Sequence, residues 1–460
     1  MLAKRRLTFK LMFCLASAPM FILLVPSLLH LKPNPLIHKP AFHQTTSASL
    51  RLRSEKITLP LRPAGSGDAP NVPLNRCDPD QALLKVFMYD LPPEFHFGLL
   101  HWKGGPNQTW PDVTDPNRIP SYSGGLNIQH SVEYWLTLDL LSSAAPHASR
   151  PCTATRVANA GEADVVFVPF FSSMSYNKCH KFRARGEQVC ADKLLQRRLV
   201  AFLEGRDEWR RRNGGDHLIA AHHPNSMSEA RARLSSAMFV LADFGRYPAE
   251  IANIDKDVIA PYKHFVESTP AAESAPFDKR PTLLYFQGKI NRKEGGAIRL
   301  QLYHMLKDEP DVHFKFGTAR GKGGRLAAQG MASSKFCLSV AGDTPSSNRL
   351  FDAIASHCVP VIVSDEIKLP FEDQLNYAEF SLRVGAGDAL KEGHILNLLR
   401  RIKRDEWTRM WERLKRVGRY FVYEFPSRRG DAVEMIWREV RLRASSSSRG
   451  ISKSYWYASS

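Results

Sequence analysis

Short apolar runs recur along this chain at intervals filled by helical segments, and that alternation limits the fold more than any other feature. In the first half they are KVFMYDL (85–91), ADVVFVPFF (163–171), DHLIAAHH (216–223), AMFVLAD (237–243) and KDVIAPY (256–262). In the second half they are TLLYFQG (282–288), VHFKFG (312–317), KFCLSVAG (335–342), CVPVIVSD (358–365) and AEFSLRV (378–384). Apolar residues sit at consecutive positions rather than alternating, as in parallel strands covered on both faces. Helical patterns over 127–143, 192–212, 294–307, 346–356 and 404–421 separate them, so the expected class is α/β. The segment HFVESTPAAESAPFDKRP (264–281) has linker composition and divides two strand sets. Two Rossmann-like, doubly wound lobes facing a cleft follow, an N-terminal lobe over 83–263 and a C-terminal lobe over 282–443. A length of 460 residues suits that division. A last helix near 430–443 is expected to cross back to the first lobe, leaving the serine-rich 444–460 as a disordered tail.

The amino terminus differs in kind. Residues 1–10 carry Lys4, Arg5, Arg6 and Lys10, and 11–29 carry no charge. Such a run approaches the ~20 residues a membrane span needs, so 11–31 is expected to be a signal-anchor, with 1–10 cytoplasmic and the body lumenal. Small residues at 16–18 leave a cleaved signal as the competing reading. Residues 32–82 read as a flexible stem. Cysteine usage fits an oxidising compartment, because Cys14 lies in the span and the other six can all pair. The expected bridges are Cys337 with Cys358, each opening a predicted strand, and Cys179 with Cys190 across a short polar loop. The absence of C-x-x-C spacing argues against zinc. Asn107 heads the sequon Asn-Gln-Thr in a Gly/Pro-rich loop suited to a glycan. The net charge of +18 carries no basic stripe interleaved with aromatics, so a nucleic-acid partner is not expected.

Chemistry concentrates in AGDTPSSNRLFDAIASHCVPVIVSDE (341–366). A strand ends near Gly342 and a helix begins at Ser346, where Ser346 or Ser347 can cap the first turn and the free amides make an anion seat. Arg349 offers a guanidinium to a phosphate, Asp352 can accept from ribose hydroxyls, and Asp365 and Glu366 close the next strand. A second loop places Gly288, Lys289, Arg292 and Lys293 at the end of strand 282–288, followed by Arg299. One such loop is ordinary turn chemistry. Two at equivalent strand ends of one lobe point to a nucleotide-sugar diphosphate. Asp255-Lys256-Asp257 matches the Asp-x-Asp motif that holds a divalent ion in GT-A transferases, and a loop cap explains it equally well. Cations and a helix terminus can replace a metal, so no cofactor and no metal ligands are expected.

FCLSVAGDTPSSNRLFDAIASHCVPVIVSDEIKLPF (336–371), FQGKINRKEGG (286–296), KVFMYDLPPEF (85–95), YSGGLNIQHSVEYWL (122–136) and ADVVFVPFF (163–171) together resemble the exostosin-type glycosyltransferases of family 47. The Pro-Ser-Ser-x-Arg-Leu-Phe-Asp-Ala-Ile wording is most similar to the plant branch that includes arabinan arabinosyltransferases. The resemblance implies a GT-B fold, a Golgi membrane location, a UDP-sugar donor, a polysaccharide acceptor and inversion at the anomeric carbon. By position it puts Ser346, Ser347, Arg349 and Asp352 on the donor helix and Gly288, Lys289 and Arg292 on the other donor loop. Inversion calls for a general base from the first lobe, with His223, Asp243 and Glu133 as alternatives, and His222 beside the first. Arabinose is the candidate sugar; galactose, xylose and glucuronic acid are the other donors. A non-catalytic glycan-binding partner of an active transferase is the rival class, and association with itself or other transferases is compatible with either.

Overall fold

Val165–Val168, His217–Ala220 and Met238–Leu241 are buried at every position, and they form the middle of one parallel sheet. The computed structural model describes residues 79–143, 150–182, 190–245, 247–292, 294–317 and 323–457. The expected cytoplasmic tail and anchor, and the stem as far as residue 78, lie outside them. Among the described residues no helix is long and apolar enough to cross a membrane.

The first sheet comprises β1 (Leu84–Met88), β2 (Ala154–Val157), β3 (Val165–Val168), β4 (His217–Ala220), β5 (Met238–Leu241) and β6 (Val258–Ile259), in the order β2-β1-β3-β4-β5-β6. The second comprises β7 (Thr282–Gly288), β8 (Val312–Phe316), β9 (Ser334–Val340), β10 (Val359–Val363) and β11 (Leu382–Val384), in the order β11-β10-β9-β7-β8. Every pairing in both sheets is parallel. Each expected run therefore yields a strand. The sequence reading missed β2, a four-residue edge strand, ATRV, whose second half is only partly buried. Run 256–262 gives only the two residues of β6; Ala260 N still donates to Leu241 O (2.9 Å), and Pro261 after it cannot donate to a ladder.

Helices α1 (Val132–Ser142), α2 (Ser172–Phe182), α3 (Ala191–Glu204) and α4 (Asp207–Arg212) flank the first sheet. Helices α5 (Ile298–Leu306), α6 (Gly323–Ala332), α7 (Asn348–Ala355), α8 (Ala386–Ala389), α9 (His394–Arg401) and α10 (Arg404–Val417) accompany the second, and α11 spans Ala432–Tyr457. The single helix expected over 192–212 is broken at Arg206, whose extended backbone (φ −95°, ψ 143°) separates α3 from α4. Helix α11 runs past the expected end at 443, since no glycine or proline interrupts it before Gly450 and helix propagation is cooperative.

That last helix fastens the chain's end to the first lobe. Trp437 Nε1 donates to buried Asp139 (2.9 Å), which also accepts from Arg150 Nε (2.9 Å) and Nη2 (2.6 Å). Thr153 donates to Glu434 (3.0 Å). A continuous apolar cluster passes from Val86 and Phe167 through Tyr262 to Phe351 and Ile354, so the two sheets share one core. The segment 264–281 is held rather than loose: Thr269 N donates to Ala355 O (2.8 Å), and buried Arg280 reaches Ser334 O (2.7 Å).

Cys337 and Cys358 are joined, tying the start of β9 to the residue before β10. Cys152 and Cys190 are also disulfide-bonded. The expected pairing of Cys190 with Cys179 falls on a side chain outside those described. Asn107 is exposed, with φ 62°.

Because the Cys337–Cys358 bridge spans 21 residues, converting both to serine removes a loop constraint of about 3 kcal/mol. A urea titration of the double variant should show that loss; an unchanged midpoint would mean the surrounding strands alone fix this region.

Candidate active site

The carboxyl ends of β7 and β9 and the start of α7 form one wall of a cleft of about 850 Å³. The loop Gly125–His130, together with His223, Asn225 and Tyr262 from the first lobe, forms the other.

Arginine dominates the second-lobe wall. Arg349 lies directly beneath Gly288: a Cβ added there would stand 1.9 Å from Arg349 Nη2. Its Nε donates to Gln287 O (2.9 Å), its Nη1 to Ser347 Oγ (3.1 Å), and the guanidinium stacks over Phe286. Burial lowers its pKa to about 10, against the pull of Asp352. Arg299 donates to Lys289 O (3.1 Å) and Val340 O (2.8 Å). Burial, then the neighbouring Arg349 and Arg292, bring it down to about 9. Arg292 pairs with Asp343 (2.6 Å). Three guanidinium groups thus crowd one rim with a single carboxylate bonded among them, a field that favours an anion. Lys289 is exposed at the same edge, and Lys293 is outside the described residues.

Helix α7 departs from expectation at its cap. Ser347 is the N-cap residue, yet its hydroxyl accepts from Arg349, and the first turn has no side-chain cap. Ser346 borders the cleft with its hydroxyl committed to Asp243 Oδ2 (2.5 Å) and Tyr262 (2.8 Å). Asp352, expected to meet a ribose, already accepts from Phe265 N (2.6 Å), Val266 N (3.3 Å) and Asn348 (3.2 Å), and burial raises it to about 6. Asp365 and Glu366 border a separate depression of about 340 Å³. Asp365 accepts there from Ala386 N (2.9 Å) at the start of α8.

The three candidate bases separate. Asp243, at the end of β5, also accepts from Gly245 N (3.1 Å) and from Ser346 N (3.4 Å), so it clasps the lobes together. Glu133, fully buried on α1, accepts from Tyr122 (3.2 Å) and from Ser173 N (3.1 Å) at the first turn of α2, away from the cleft lining. Burial raises its carboxyl to about 8. His223 borders the cleft, its ring between Tyr176 (4.5 Å) and His130 (4.6 Å). Its Nδ1 accepts from Asn225 N (3.1 Å), which in the neutral ring leaves the proton on Nε2. Beneath it His222 bonds Ala260 O (3.1 Å) and His130 Nδ1 (2.9 Å), and burial brings it down to about 4. His130 is held well below its ordinary value by burial and then by the two adjacent imidazoles.

Asp257, in the Asp-x-Asp match, is buried and accepts from Phe239 N (2.7 Å), Asn253 N (2.8 Å) and Lys256 (2.7 Å), bracing a loop away from the cleft. Among the described residues no group of three or more His, Cys, Asp or Glu could hold a metal ion. The sequence reading missed His130, Tyr262, Gln287 and Phe316 as lining residues. Only Phe316, followed by a glycine at a strand's carboxyl end, left a local trace.

The family description "Exostosin GT47 domain" matches residues 80–399, which span both sheets. Over 366 residues the chain is 39% identical to "Probable arabinosyltransferase ARAD1" of Arabidopsis thaliana, covering 79% of each. It is 26% identical over 315 residues to "Probable glucuronoxylan glucuronosyltransferase IRX7" of the same plant, covering 64% of this chain and 67% of that one. It is 25% identical over 359 residues to "Probable xyloglucan galactosyltransferase GT17", also from Arabidopsis thaliana, covering 71% and 74%. Among solved structures, a glycosyltransferase from Rickettsia africae ESF-5 aligns at a TM-score of 0.35 and 8% identity, over 80% of this chain and 99% of that one.

Since Glu133 moves from an ordinary value near 4.5 to about 8 on folding, the folded chain keeps a proton the unfolded chain releases. The stability tied to that proton is present below pH 4.5 and is lost as the pH rises towards 8. Glu133→Gln should therefore gain on the unaltered protein across that window, by up to about 1.4 kcal/mol per pH unit, in urea titrations at pH 5 and 8. An equal margin at both would mean that the carboxyl is ionised in the fold.

Proposed function

The chain belongs to the exostosin GT47 family and is a glycosyltransferase, and from that premise we propose that it moves an arabinosyl residue from a uridine diphosphate sugar to a cell-wall polysaccharide, with inversion, in the Golgi lumen. The observation that carries the reading is the convergence of Arg292, Arg299 and Arg349 around Gly288 at the rim of a deep cleft. Arabinose as the sugar rests on the 39% identity to the arabinosyltransferase relative, against 25–26% for the glucuronosyl and galactosyl relatives. The lumenal location is supported by the uncharged run 11–29 and by bonded Cys152, Cys190, Cys337 and Cys358. Two doubly wound lobes across a cleft fit the GT-B arrangement.

The cleft divides the work. The diphosphate lies at the rim beside Gly288, whose missing side chain leaves room for the Arg349 guanidinium, and the uncapped first turn of α7 adds amides and the helix dipole. An acceptor hydroxyl from the first-lobe side attacks the anomeric carbon as its bond to the β-phosphate oxygen breaks; the electron pair stays on the phosphate, and the hydroxyl's proton leaves to solvent water in the cleft. The arginine cluster stabilises that developing charge in a partly water-excluded site, usually the largest single contribution to such a step. His223, with its proton on Nε2, is assigned to hold a sugar oxygen as a donor.

Arg349→Ala should weaken UDP binding roughly 10- to 150-fold, the loss of a charge-assisted contact of about 1.5 to 3 kcal/mol. The melting temperature should fall, because two hydrogen bonds and the packing on Phe286 are lost, while far-ultraviolet circular dichroism stays that of the folded chain; unaltered UDP affinity would remove Arg349 from the site. His223→Gln, which keeps a donor, should retain activity within about tenfold of the unaltered enzyme. A fall of ~10² to 10⁴ in kcat, with loss of one limb of the pH profile, would make His223 the general base instead. A screen of UDP-linked arabinose, galactose, xylose and glucuronic acid decides the sugar, and turnover of none would favour the non-catalytic partner.

A further inference from the structure

Phe316 is the most exposed large apolar side chain among the described residues, at 69%. A lone apolar residue on a protein surface is ordinary, but this one borders the cleft at the carboxyl end of β8. In the sheet register it sits directly opposite Gly288, and Gly317 N donates to Gly288 O (3.1 Å). The Phe316 backbone therefore stands one strand spacing, about 4.8 Å, from that of Gly288, which covers Arg349. Beyond it the wall thins to Gly324 and Ala327, and a Cβ added at Gly324 meets nothing within 4 Å.

On the opposite face of the same strand pair lies one oriented polar group, since side chains alternate along a strand and Phe316 pairs with Gly288 rather than with Gln287. Tyr285 donates to Gln287 Oε1 (2.6 Å), which turns the amide NH2 of Gln287 the other way. Tyr285 keeps its proton, since burial raises it to about 12. Gln287 packs against Gly317 so closely that a Cβ there would stand 2.2 Å from its Cγ and 2.8 Å from its Nε2. Gly317 thus leaves the amide room on that face, and Phe316 meets a ligand without it.

We propose that Phe316 is a stacking platform for the nucleobase of the donor. The proposal rests on the nucleotide-sugar reading above and assigns the half of the nucleotide that the arginines leave unread. A diphosphate at the rim beside Gly288 and Arg349 puts the attached nucleoside within reach of β8, the neighbouring strand at the sheet's edge. Every base has a π-face, so stacking supplies affinity without choosing among bases.

The test is calorimetric titration of the full-length chain with UDP, CDP and inorganic pyrophosphate. Phe316→Ala should weaken UDP at least about fivefold and leave pyrophosphate unchanged, with Phe316→Trp restoring UDP; the exposed position keeps the fold out of the comparison. CDP should lose about as much as UDP in Phe316→Ala, because a stacking face does not tell the two bases apart. UDP binding by Phe316→Ala at the unaltered affinity, or a proportional loss of pyrophosphate, overturns the platform. Failure of the unaltered chain to bind either UDP or pyrophosphate removes the nucleotide site itself, and this proposal with it.

Discussion

A guanidinium held beneath a glycine organises the cleft. Arg349 fills the space that any side chain at 288 would need, and it is pinned there by a backbone carbonyl, a serine hydroxyl and an aromatic face. Arg299 and Arg292 approach the same rim, and the depressed pKa values of Arg299 and Arg349 record the cost of holding such charges close and partly dry. The protein meets that cost from the rigidity of two sheets sharing one core. An incoming diphosphate finds the positive field already assembled, so little reorganisation accompanies the charge that develops on the leaving group.

Rigidity between the lobes comes from a few buried polar contacts. Asp243 reaches from the end of β5 to Ser346, with Tyr262 on the same hydroxyl, and Asp352 holds the segment that connects the sheets by two backbone amides. Asp243, Ser346 and Asp352 looked like ligand contacts in the sequence, and their chemistry is that of ligand contacts. They are spent within the chain because the pieces they join lie 86 to 103 residues apart and meet at the cleft's margin.

The architecture was legible wherever burial was complete. VVFV, HLIA and MFVL admit little besides inner parallel strands, and the loop glycine with clustered cations after 282–288 pointed to the anion wall. The edge strand ATRV and helix α2, SSMSYNKCHKF, lack a strong apolar pattern, and tertiary packing rather than local preference fixes them. The partners of Glu133 and Asp352 were not legible. A carboxylate on a helix shows its residue type in a sequence, whereas the amide it will accept from is set by the fold. The neutral histidine cluster failed for the same reason: His130 and His222 stand 92 residues apart in sequence and within hydrogen-bonding distance in space.

The closing crossover of α11 has a consequence for biogenesis. A ribosome delivers the first lobe long before it delivers Trp437, and domains ordinarily fold in order of emergence. Here Asp139 and Thr153 must wait for the last helix before their surroundings are complete. The nascent first lobe therefore spends most of translation with an unfinished face, a window in which lumenal folding factors have a surface to hold and in which a premature stop codon would release a chain that cannot close itself.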